Sequence, residues 1–200
     1  MSFGAVEADS FLGPLRGKAT TLLVEDRGSN LALAAAILAA ASYTSRGCSV
    51  LDLDALYASN ADRVTGGLSP RAARATRLLV PNPGARVERA FATLCSAESD
   101  VLVVDSLNSL YHLLSAGEAG SRTRRIGFAA EALSFAARTG GAVSLTTMYR
   151  REGPPRAGGG RPISHLVEVV ASVSVRGGNL ELTCEKGDAW PGRKLTVSIP

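Results

Sequence analysis

Asp100-Val101-Leu102-Val103-Val104-Asp105-Ser106-Leu107-Asn108-Ser109-Leu110 is the stretch on which the reading of the fold turns. Four apolar residues run into an aspartate and then a serine. A short apolar run of this kind suits a strand buried on both faces of a parallel sheet. A carboxylate at the carboxyl end of such a strand points into the crevice where open α/β sheets bind ligands. In phosphate-handling folds an aspartate at that place holds magnesium.

Outward from this strand the chain alternates strand and helix signals. Thr20 to Val24 and Ser49 to Leu53 read as strands, and Ser29 to Tyr43 as an Ala/Leu-rich helix, apolar nearly all round. Such a helix is usually buried between a sheet and another layer. Ala73 to Val80 ends in a third strand, and Arg86 to Ala97 is the next helix. Arg122 to Arg138 repeats Ile126, Ala129, Leu133 and Ala136/Ala137 at helical spacing and stops at Gly140-Gly141, before a fifth strand at Ala142 to Thr146. The remainder changes character. Val167 to Val175, Asn179 to Cys184 and Lys194 to Ile199 alternate apolar and polar residues, and Arg176-Gly-Gly-Asn179 predicts a hairpin. A βα series with an antiparallel extension predicts one α/β domain over residues 1–200, with a flexible segment at 1–10.

Composition sets limits. Hydrophobic residues make up 46% and aromatics 5%, so the core is built from Ala, Leu and Val. The net charge of +4 permits an anionic partner without requiring one. Cys48, Cys95 and Cys184 are widely spaced within apolar runs and read as reduced thiols, with no CxxC pair to suggest zinc. The longest uncharged apolar segment, Leu31 to Ala41, is shorter than the roughly 20 residues that span a bilayer. Charges at Glu7, Asp9, Arg16, Lys18, Glu25, Asp26 and Arg27 do not match a signal peptide. The expectation is a soluble cytoplasmic protein with no membrane partner. One stretch resists packing: residues 150–162, with Arg150, Arg151, Arg156 and Arg161 among glycines and prolines, read as a mobile basic loop at the ligand-binding end of the sheet.

In this order the segments resemble the RecA/RadA recombinase core, in its RadA-paralogue and KaiC-like branch. Val101 to Leu110 resembles the Walker B strand with its Asp-Ser pair; Arg124-Arg125 and the following helix, Ala142 to Thr147, Gly158 to His165 and Glu185 to Arg193 resemble later core segments. The resemblance implies a three-layer α/β/α sandwich with a mostly parallel sheet and antiparallel C-terminal strands. It also implies roles for single residues. Asp54 stands where RecA-like ATPases carry the acid that activates water, and Asp105 where they hold the metal of a bound nucleotide. Gly28, Ser29, Ser106, Thr147 and Lys186 occupy nucleotide-binding places, Lys186 resembling a residue that reaches the neighbouring subunit's γ-phosphate. Tyr149, Arg150, Arg151, Arg156 and Arg161 correspond to a DNA-binding loop, with basic charge and a stacking ring suited to single strands.

The departure lies at Glu25-Asp-Arg-Gly28-Ser29-Asn30-Leu31-Ala32, in the place of the family's G-x-x-x-x-G-K-[ST]. A phosphate loop wraps backbone N–H groups around phosphates while its lysine neutralises their charge. Leu31 supplies no charge and Ala32 no hydroxyl for the metal. Glu25 and Asp26 would set like charge near a triphosphate, at a cost of about 1–4 kcal/mol. The expected function is therefore that of a RadA/RecA-paralogue-like accessory protein of recombination and repair, without ATP hydrolysis. It would bind single-stranded DNA, a RadA/RecA-type recombinase, or both; homo-oligomer formation stays open. No cofactor is expected. Two other readings remain: a RecA-type ATPase using Mg-ATP at a subunit interface through Asp105, Asp54 and Lys186, and a KaiC-like signalling or scaffold protein.

Overall fold

The computed structural model describes residues 3–82, 87–113, 119–149 and 167–200, with the side chains of 119–123 left out. Its elements are α1 (Ala5–Leu12), β1 (Ala19–Val24), α2 (Arg27–Ala41), β2 (Cys48–Asp52), α3 (Leu56–Ser59), α4 (Ala61–Thr65), α5 (Pro70–Arg74) and β3 (Thr76–Leu79). They continue with α6 (Val87–Cys95), β4 (Val101–Asp105), α7 (Leu107–Leu113), α8 (Ala119–Gly140), β5 (Val143–Tyr149), β6 (Val169–Arg176), β7 (Asn179–Lys186) and β8 (Lys194–Ser198).

All eight strands form one sheet in the order β3-β2-β4-β5-β1-β6-β7-β8. Pairing is parallel from β3 through β6 and antiparallel between β6, β7 and β8. The expected C-terminal extension is present, except that its first strand joins β1 in parallel. Arg176 pairs with Asn179 across Gly177-Gly178, whose φ values of 56° and 78° are what a two-residue hairpin turn of this hand requires.

Helices cover both faces, giving the three layers. On one face α1 to α4 pack Phe11, Leu33, Ile37, Leu56 and Val64 against Leu22, Val50 and Val103; on the other α6, α7 and α8 pack Phe91, Leu94, Leu110, Ile126 and Leu133 against Leu51, Leu102 and Val104. Alternate residues of the buried strand β4 serve the two faces, which is why its apolar run is unbroken. Within the segment read as flexible, and running just past it, Ala5–Leu12 forms a helix whose Ala8, Phe11 and Leu12 are buried. Trp190, 2% exposed, holds it through an indole N–H bond to the Phe11 carbonyl.

The amino ends of the strands are tied by Asp100. Its carboxylate accepts from the Arg46 backbone N–H at 2.8 Å, the Arg46 guanidinium at 2.7 and 2.9 Å and the Ser45 hydroxyl at 3.1 Å. Burial alone would raise the Asp100 pKa; the bonds from Arg46 and Ser45 outweigh it and hold it below the ordinary value.

Candidate functional site

The carboxyl ends of β1, β4 and β5 meet where the sequence places its crevice. Only Glu25 and Asp26 separate β1 from α2. Asp26, in extended backbone, caps the helix, its carboxylate accepting from the Ser29 N–H at 2.7 Å. That bond lowers the Asp26 pKa, as an acid at a helix N-terminus should. Gly28 and Ser29, expected in a phosphate loop, lie instead in the first turn of α2, and Ser29 is buried. An added Cβ at Gly28 would stand 3.2 Å from the Asp26 carboxylate, so this turn is closed by the chain's own acid.

Asn30 follows, 1% exposed. Its side-chain amide donates to Asp105 Oδ1 at 3.0 Å and to the Tyr149 hydroxyl at 3.3 Å. Thr147, at the end of β5, donates its hydroxyl to the same Asp105 oxygen. Parallel pairing of β4 with β5 and of β5 with β1 brings these groups together. Asp105 is fully buried, and its Oδ2 has no hydrogen-bond partner among the described residues. Burial raises its pKa; the bonds from Thr147 and Asn30 act the other way, and the negative charges of Asp54 and Asp52 add to the rise. The buried Tyr57 hydroxyl also lacks a partner among the described residues, and its pKa is raised first by burial and then by the charge of Asp105.

The remaining expected residues divide. Asp54 is half-buried and accepts from the Ser109 hydroxyl. Asp52, which the sequence reading passed over, is 1% exposed and caps the turn of α3 by accepting from the N–H groups of Leu56 and Ala58, both at 2.9 Å. Ser106 follows a cis peptide bond and is fully buried; its hydroxyl accepts from the Ser109 N–H at 3.4 Å, so it serves α7. Tyr149, expected as an open stacking ring on a loop, is the last residue of β5, half-buried, with its hydroxyl on Asn30. Lys186 ends β7, and its ammonium donates to the Val167 carbonyl of its own chain. It lies four strands from Asp105 in the sheet order, about 19 Å at ~4.8 Å per strand. Arg150, Arg151, Arg156 and Arg161 lie outside the described residues.

This donor set does not match the family's way of holding a magnesium nucleotide. Both donors that reach Asp105 are neutral side chains already bonded to it, and Leu31 and Ala32 are partly buried against the core. Among the described residues no group of three or more His, Cys, Asp or Glu is placed to hold a metal ion. Asn30 is the residue that sequence reasoning noticed only as a missing glycine. The signal that could have marked it is a lone amide opening an otherwise apolar helix, opposite a strand-end aspartate.

A mostly parallel sheet in this order, helices on both faces and an aspartate at the central strand end define a RecA/RadA-like fold. Among solved structures, the chain is similar to the crystal structure of the RadB recombinase, with a TM-score of 0.67 and 17% identity over 100% of this chain and 96% of that one. The sequence matches no protein-family model and no curated protein. At 17% identity the likeness carries the fold, and the site is read from its own residues. No helix among the described residues is long and apolar enough to cross a membrane.

Proposed function

We propose that this chain is a recombination-related RecA/RadA-paralogue-like accessory protein that does not hydrolyse ATP. It acts by binding single-stranded DNA, a RadA/RecA-type recombinase, or both, through Arg150, Arg151, Arg156 and Arg161. The observation that carries the reading is the Asn30 amide on Asp105, backed by a β1–α2 connection of two residues. Asn30 already bonds Asp105 Oδ1 and Asp26 already bonds the Ser29 N–H, and both contacts support a site that works without a magnesium nucleotide. The likeness to RadB recombinase supports the recombination setting.

Two titrations test this. Calorimetry with Mg-ATP should give no measurable heat of binding; tight binding that is lost in Asp105→Asn would establish the interface-ATPase reading instead. Fluorescence anisotropy with a labelled single-stranded oligonucleotide should show salt-dependent binding that weakens when the four arginines become glutamine. Binding indifferent to that change would remove the DNA role.

A further inference from the structure

Residues 63–86 contain five arginines, Arg63, Arg71, Arg74, Arg77 and Arg86, and no acidic residue. The chain's net charge is +4, so the rest of it carries −1. Arg46 pairs with Asp100, Arg138 with Glu168 and Arg176 with Glu181. Arg71 and Arg74 on α5 and Arg77 on β3 are exposed, and their side chains make no hydrogen bond or ion pair among the described residues. Spacing of three places Arg71 and Arg74 on one helix face, and the chain from Arg74 to Arg77 spans at most about 10 Å.

The patch sits at the amino end of the edge strand, since the Cys48 N–H, at the start of β2, bonds to the Ala75 carbonyl just before β3. Asp105 ends β4, a strand parallel to β2, which is itself parallel to β3, so the patch lies at the opposite end of the sheet from the candidate site. Residues 61–82 contain no aromatic side chain. Sites for single strands combine basic charge with stacking rings, whereas contacts to a duplex backbone need only guanidinium groups aimed at phosphates.

We infer that Arg71, Arg74 and Arg77 form a binding surface for the phosphate backbone of double-stranded nucleic acid, independent of sequence. Leu78 and Val80, 39% and 46% exposed, would also suit an acidic polypeptide laid along the open edge of β3. Two of the three arginines are on α5, off that edge, so the charge spreads across the surface rather than along the strand. This favours the duplex. The inference does not need the single-strand role proposed above, and the two fail separately.

The test is anisotropy with a labelled duplex of about 30 bp and its single strand across a salt series, using the full chain. Arg71→Gln/Arg74→Gln/Arg77→Gln should bind duplex about tenfold more weakly, with the slope of log affinity against log salt reduced by about 2–3. Arg71→Lys/Arg74→Lys/Arg77→Lys should keep most of the affinity, single-strand binding should be unchanged, and unchanged melting curves should confirm folding. Loss of single-strand binding alone in the Arg150, Arg151, Arg156 and Arg161 variant would keep the two surfaces distinct. The inference is overturned if the parent protein does not bind duplex at about 50 mM salt. An equal loss of duplex and single-strand affinity overturns it too, as does polyglutamate binding to the parent in place of duplex.

Discussion

Asn30→Ala is the sharpest test of the network at the strand ends. The amide is 1% exposed and serves two acceptors, Asp105 Oδ1 at 3.0 Å and the Tyr149 hydroxyl at 3.3 Å. Leaving a buried acceptor short of its donor costs about 1–3 kcal/mol. Asp105 keeps its bond from Thr147, which sets the cost toward the lower part of that range. Alanine is the better helix former and returns about 0.6 kcal/mol. The net loss is about 0.5–1.5 kcal/mol, or about 1–6 °C of melting temperature in a chain of this size. Thermal and urea unfolding followed by fluorescence of the buried Trp190 would measure it. Tyr149→Phe removes one of the two acceptors, so the double variant should lose less than the sum of the singles by at least ~0.5 kcal/mol. A melt within about 1 °C of the parent, or strict additivity in the double variant, would show that the contacts carry no energy and that the reasoning is wrong.

Three further outcomes follow from the same structure. Burial raises the folded-state pKa of Asp105, so the stability its protonated form confers is present below the ordinary value of 3.8 and lost as pH rises through the raised one; Asp105→Asn should gain on the parent in urea titrations as pH increases, and a constant gap would contradict it. Asp100 has the opposite sign: its depressed pKa means stability present above 3.8 and lost as pH falls through the folded value, and Asp100→Asn should flatten that acid limb. Gly47 has φ 68°, and an added Cβ would lie 2.2 Å from the Ala75 carbonyl oxygen, so Gly47→Ala should cost at least about 1–3 kcal/mol in chemical denaturation.

Much of the fold is legible because its signals are local. The apolar run before Asp105, the Ala/Leu helix and the Gly177-Gly178 turn each state their structure within a few residues. What was missed depended on distant contacts. The segment from Ala5 to Leu12 has a weak pattern of its own and becomes a packed helix through Trp190, whose indole reaches it from 179 residues away. Tyr149 was read outward because Arg150 and Arg151 follow it, yet strand pairing turns its hydroxyl to Asn30, 119 residues distant.

The stretch from Asp100 to Leu110 by itself determined a buried parallel strand with an acid at its mouth, and the octet Glu25 to Ala32 showed a turn into an apolar helix that carries no lysine. Those are statements about residue type and spacing, which chain chemistry settles locally. What occupies Asp105 was decided only by the tertiary structure. The order β4-β5-β1 places Thr147 beside it and, through the start of α2, Asn30 against it, across 42 and 75 residues of chain. A buried carboxylate must find donors wherever packing supplies them. Here the fold supplies an amide and a hydroxyl of its own.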